Sequence, residues 1–383
     1  MGPGGAQQQM LRLAQSLAVA GATPAVHWYN QASAFHQLPP GIQGGVLPKR
    51  SPADPHFWRA LQRATQTADV VHAWLPYPGL YAGLAGLGLD AAAVLHGVRC
   101  APQLLDGQPA QLRATLAAAA MSRAVTANAT TMVDWLVARG IAPQRVFHLP
   151  NQLDPALLDR PPATPEDKHA ALVGLGLDPA RPPITCLGRL DRNKNQIGLL
   201  RALGRVQAAD RGRPLPPVVL AGEVQDLAVG AEVQSLIVQL GLDARVLRPV
   251  ADPAALLAAS RVSVLASLSE GSPNVVLEGL AVGTVTVSTQ VGEVPSLVRD
   301  GDTGLTCAAG DDAALAACLQ RALSLDPQSA QQMGERARLD VRARYGALPI
   351  ARRYLELYET AVAERWLRIG PRRGFLRSYT GSR

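Results

Sequence analysis

No apolar run in this chain reaches the ~18 residues that a membrane-spanning helix needs. The mildly apolar stretch 10–22 has no basic segment ahead of it and reads as amphipathic, which argues against a signal peptide. Cysteine is rare. Cys100, Cys186, Cys307 and Cys318 are the whole complement, and their spacing matches no paired metal site. They read as reduced, buried thiols, which excludes a disulfide scaffold. Charge is sparse as well: charged residues are 17% of 383 positions against 48% hydrophobic ones. That balance excludes disorder and gives a globular chain with ample core and room for two or three domains. The net charge of +7 is modest, and no nucleic-acid partner is expected. Internal repeats, low-complexity tracts and metal-type acidic triplets are missing too.

What the chain does have is a strand–turn–helix signal at 262–283. Val262-Ser263-Val264-Leu265-Ala266 is a short apolar run with β-branched residues, as in a buried parallel strand. A polar turn, 267–273, follows, and helical spacing begins at Asn274. Glu270 in the turn and Glu278 on the helix stand eight positions apart. A helix starting near Ser272 points free N–H groups and its positive dipole end between those acids, which suits a phosphate. Upstream, Leu187-Gly188-Arg189-Leu190-Asp191-Arg192-Asn193-Lys194-Asn195 is a second strand–loop–helix with two cations around its loop. Ligands of open α/β sheets bind at such carboxyl ends.

Together these pieces resemble the retaining glycosyltransferases of family 4, which have the GT-B fold. The matching residues are Gly188, Arg189 and Lys194, the Glu270/Glu278 pair, Asn274, and the run Gly283-Thr284-Val285-Thr286-Val287-Ser288-Thr289. The resemblance runs from Gly2 to about Tyr358. It implies an α/β architecture of two Rossmann-like domains facing a cleft. The expected boundaries are an acceptor-side domain at 1–154, a proline-rich linker with a short helix at 155–183, a nucleotide-sugar domain at 184–346, and a crossing helix with a basic tail at 347–383.

Within the first domain, Gly2-Pro3-Gly4-Gly5 resembles the family's donor-phosphate loop, with Gly4 and Gly5 as donor-binding residues; a frayed terminus is the other reading. The family's first strand would precede that loop, so a native start upstream of Met1 is expected. Strands are expected at 24–29, 69–74, 91–97, 124–128 and 145–149, with a loop at 38–54. The resemblance places His96, at a strand end, against the donor sugar. Arg99 follows within reach of the cleft. The chain departs from family patterns at Trp74 (usually histidine), Ala129 (serine), Gln152 (glycine), Glu293 (glycine) and Ser296 (glutamate).

The resemblance implies transfer of a sugar from a nucleotide-sugar donor to a sugar or lipid-linked acceptor, with retention, in polysaccharide or glycolipid synthesis. Arg189 and Lys194 would neutralise the leaving diphosphate. Glu270 would hold donor-sugar hydroxyls and Glu278 the ribose. Gly271, Ser272, Asn274 and Val275 would line the phosphate site. Neither cofactor nor metal is expected. A catalytically silent nucleotide-sugar-binding protein and a sugar-nucleotide epimerase are the alternatives. Epimerases lack the Arg189/Lys194 plus Glu270/Glu278 combination, whereas the altered 292–296 loop favours a silent protein. A cytoplasmic protein, peripheral at the inner membrane face, is expected. The interleaved Arg365, Trp366, Arg368, Arg372, Arg373, Phe375 and Arg377 suit weak contact with an anionic membrane surface or a solvated tail.

Overall fold

The computed structural model describes residues 5–29, 38–87, 92–209 and 214–369, with only the helical backbone for 364–369. Gly4 and the basic tail therefore lie outside the described residues. The N-terminal half holds the parallel strands β1 (Ala25–Trp28), β2 (Gln43–Val46), β3 (Val70–Trp74), β4 (Ala93–Val98), β5 (Ala124–Ala127) and β6 (Val146–His148). They form two pieces, β1-β2 and β3-β4-β5-β6. An apolar cavity of about 1350 Å³ lies between β1 and β3, with Met10, Leu17, Val26 and Val70 on its walls.

Strand β2 falls inside the expected loop at 38–54. Glycine hides it: a Cβ on Gly44 would sit 1.9 Å from the Val26 carbonyl oxygen, so β1 approaches too closely for a side chain. Helices Pro76–Gly86 and Pro109–Met121 are rich in glycine and alanine and pack closely, Gly83 of one facing Met121 of the other. The linker prolines open short helices, Pro155–Leu158 and Pro165–Gly174, capped by Asp154 and Thr164. Of the cysteines, Cys100 is half-buried and the rest are buried; all four are free thiols.

The C-terminal half is one parallel sheet of β7 (Ile184–Leu187), β8 (Val218–Ala221), β9 (Ala244–Leu247), β10 (Val262–Leu265), β11 (Thr286–Thr289) and β12 (Leu305–Cys307), in the order β12-β11-β10-β7-β8-β9. Apolar runs bury both faces: Ile184, Val218, Val262, Val264, Val287 and Leu305 share one core, and the alternate residues Val219 and Leu265 enter two others. The strand order reverses at β7, between β10 and β8, which opens a crevice at their carboxyl ends. The last helix, Ala347–Ile369, returns to the N-terminal half. Its Ile350, Tyr354 and Leu357 pack with Leu13, Trp74 and Leu95.

The crevice edge is tightly built. A Cβ on Gly222, just past β8, would lie 1.9 Å from the Gly188 carbonyl oxygen at the end of β7. Gly222→Ala must push the Gly188–Arg189 turn aside, and overpacking of this kind costs ~1–3 kcal/mol. A lowered melting temperature by calorimetry is the expected outcome, with Thr65→Ser, far from the crevice, as the control.

Candidate active site

The end of β7 and the end of β10 supply the charged centre. After β7 the chain turns through Gly188 into a loop closed by Lys194 N–H donating to Asp191 Oδ1 at 2.9 Å. Asn193 and Asn195 then fasten this loop to the neighbouring turn: Asn193 Nδ2 donates to the Ser269 carbonyl at 2.8 Å, and Asn195 Nδ2 to that of Ala266 at 3.2 Å. The result brings Lys194 Nζ to 2.6 Å from Glu270 Oε1, with both side chains largely buried. Ser267 Oγ donates to the same carboxylate oxygen at 2.7 Å. Arg189 stands at the loop's start, mostly exposed, 3.3 Å from Asp191.

Helix Asn274–Ala281 begins beside this pair. Its N-cap residue is Pro273, and among the described residues no side chain caps the first-turn N–H groups. Ser272 Oγ, next to them, is buried without a hydrogen-bond partner. A helix N-terminus with an unused hydroxyl is built to take an anion. Val275 is half-buried on the first turn.

Side chains from the N-terminal half reach this helix. Asn274 Oδ1 accepts from Gln9 Nε2 at 3.1 Å and Asn151 Nδ2 at 2.9 Å. Asn151 Nδ2 also donates to the Ser272 carbonyl at 3.0 Å. Gly5 opens the first helix, Gly5–Val19, and a Cβ there would lie 3.2 Å from Asn274 Nδ2. Gly271 backs onto Cys100 and Asn128 at the ends of β4 and β5. Arg12 binds Asp154 at 2.5 Å and lies 3.8 Å from Glu278. Burial pushes the Glu278 carboxyl up to about 7; Arg12 opposes that rise and Asp154 adds to it.

Gly5, Lys194, Glu270, Gly271, Ser272, Asn274, Val275 and Glu278 thus meet around one interface, with Arg189 at its rim. His96 does not join them. Strand β4 turns its ring inward over Gly79, where an added Cβ would lie 2.1 Å from Nδ1, and the residue is fully buried. Burial and the nearby Arg99 hold its pKa down to about 4. In this arrangement its ring faces the helix at Gly79 and not the gathered residues. Arg99 is buried too: it donates to the Leu149 carbonyl at 2.9 Å and to the Tyr354 hydroxyl, and it stacks 4.0 Å over Trp74. Sequence reading missed Gln9, Arg12 and Asn151, whose signal is a polar side chain on an otherwise apolar face or strand end.

Comparison with known proteins gives the family. The family described as glycosyl transferases group 1 matches residues 181–324, and that described as Glycosyltransferase Family 4 matches residues 3–157. An alpha-maltose-1-phosphate synthase of Mycolicibacterium smegmatis is 30% identical over 319 residues, covering 78% of this chain and 80% of the relative. A D-inositol 3-phosphate glycosyltransferase of Rhodococcus opacus is 36% identical over 146 residues, 37% of this chain and 33% of that protein. The fold resembles that of Anabaena HepE, solved with UDP and glucose, at a TM-score of 0.80 and 18% identity over 94% of this chain and 96% of that one. The chain belongs to the family 4, group 1 glycosyltransferases, enzymes of GT-B fold that act on nucleotide-sugar donors.

Proposed function

We propose that the protein moves a hexosyl unit from a nucleotide sugar to a sugar or lipid-linked acceptor with retention at the anomeric carbon, in polysaccharide or glycolipid assembly. UDP-glucose is the first donor to test, since HepE was solved with it. The observation that carries the reading is the Lys194–Glu270 contact of 2.6 Å beside the open N-terminus of helix Asn274–Ala281. An ammonium, a carboxylate and free N–H groups meet where a sugar diphosphate needs all three.

In this reading the diphosphate lies on the helix N-terminus and Ser272, with Arg189 and Lys194 facing the charge that grows as the sugar–phosphate bond breaks. Fixed cations stabilise that charge more in the transition state than before it. Glu270 orients sugar hydroxyls and Glu278 grips the ribose. The acceptor oxygen attacks from the face that the diphosphate leaves. Its proton passes to a donor phosphate oxygen, so the C–O bond made replaces the one broken without a protein base. No role falls to His96. The leaving charge is met by protein cations, and turnover is expected to persist in excess chelator.

Lys194→Ala or Arg189→Ala should lower turnover by more than ~100-fold, as removal of one preorganised charge stabiliser does. Anomeric proton NMR of the product should show retention in the wild type. Near-normal turnover in both variants would remove the site assignment.

Glu278 gives a pH signature. With a folded pKa of about 7, raised by burial from the ordinary glutamate value of 4.5, the carboxyl keeps its proton longer in the folded chain. Stability from this group is therefore present below its unfolded pKa and lost as pH rises through about 7. Ribose binding needs the opposite form, the carboxylate. Affinity for UDP should strengthen about tenfold between about pH 6 and 8, following the ionised fraction. Titration calorimetry should find that gain in the wild type and a flat profile in Glu278→Gln.

A further inference from the structure

Two departures from the family pattern, Ala129 and Glu293, meet in space. Ala129 is the N-cap of helix Thr130–Ala138 and offers it no side-chain acceptor. Glu293, in the loop after β11, fills that role from the other half: its Oε2 accepts from Thr130 N–H at 3.1 Å. Its Oε1 lies 3.0 Å from His148 Nε2 at the end of β6, off the ring's hydrogen-bonding direction. The Glu293 carboxylate is 0% exposed. A buried charge is costly unless it is held by donors or an opposite charge, and both partners here belong to the N-terminal half.

The backbone of the same loop holds the donor turn. Glu293 N–H donates to the Gly271 carbonyl at 2.8 Å. Gly292, at φ +53°, passes so close that a Cβ would lie 2.0 Å from that oxygen. One residue therefore grips the Glu270–Gly271 turn by its main chain and the opposite half by its side chain.

We propose that Glu293 is a positioning residue that locks the two halves in the closed arrangement and so fixes the Glu270–Gly271 turn for transfer. The catalytic consequence rests on the transferase reading; the locking itself does not. If Glu293 were only a helix cap, a serine at position 129 would replace it, since serine caps from within the same helix. A cross-half lock cannot be restored that way.

The test compares the full chain with Glu293→Ala and with Glu293→Ala/Ala129→Ser. Ligand-free small-angle X-ray scattering reports closure, calorimetry the melting temperature, and steady-state kinetics with UDP-glucose kcat and KM. Glu293→Ala should melt lower, scatter as a more open particle, and lose about tenfold or more in kcat/KM, mostly through donor KM. The double variant should regain the melting temperature but stay open and slow. Recovery of compact scattering and of kcat/KM in the double variant would reduce Glu293 to a cap and overturn the proposal. So would a single variant that scatters and turns over as the wild type does. Should Glu293→Ala fail to fold, Glu293→Gln keeps an acceptor for Thr130 and removes the charge beside His148. A raised donor KM with a near-normal melting temperature is then expected, and an unchanged KM overturns the lock. A wild type inert toward every nucleotide sugar would count against the transferase reading, while the scattering comparison would still decide the role of Glu293.

Discussion

The site depends first on the carboxamide oxygen of Asn274. It opens the helix that carries Glu278, and it accepts from Gln9 and Asn151, both of the N-terminal half. Asn274 is half-buried, and each such hydrogen bond contributes ~0.5–1.5 kcal/mol, so these bonds favour one relative placement of the halves. Once the helix end is fixed, Ser272 and the first-turn N–H groups have a defined direction. Arg12 then comes within 3.8 Å of Glu278, and the turn at Gly271 abuts Cys100 and Asn128. The Lys194–Glu270 contact itself is made by two side chains of the C-terminal half, where β7 and β10 run side by side. The turn that bears Glu270 is also held from the other half through Glu293.

That division explains what the sequence could show. Strands β7 and β10 are short apolar runs ending in polar turns. The placing of Arg189, Lys194 and Glu270 at neighbouring strand ends, with Glu278 on the following helix, was therefore legible from local pattern, while their roles rested on the family resemblance. Gln9 and Arg12 were not legible, because their partners lie in remote stretches of chain and no local periodicity records such a pairing. His96 shows a different limit. Residue type alone favoured a structural histidine and the family resemblance favoured the cleft, but facing in a strand is set by the pleat. Leu95 joins the core with Leu13 and Tyr354, so its neighbour His96 points to the opposite layer, over Gly79.

The departures from the family pattern mostly find new partners. Trp74, in place of a histidine, supplies the face on which Arg99 stacks. Gln152, in place of a turn glycine, has no positive φ, and its N–H donates to Gln9 Oε1 at 2.9 Å while its amide reaches Ser16. Substituted positions here have exchanged backbone freedom for side-chain bonds. Nothing in the structure explains Ser296 beyond its carbonyl, which accepts from Arg344 at 3.0 Å.

The divided sheet of the N-terminal half bears on cooperativity. Strands β1 and β2 share a ladder with each other, while β3 to β6 share another, and the described residues link the two by side-chain packing alone. Backbone ladders transmit unfolding all at once; loose side-chain packing beside a large void transmits it weakly. With that space unfilled, the segment from β1 to β2 can loosen separately from the four-stranded sheet and the crossing helix. A strand laid along it would join both ladders into one. Partial opening at that outer edge would leave the Asn274 bonds intact, so the catalytic interface and the sheet margin need not share one melting event.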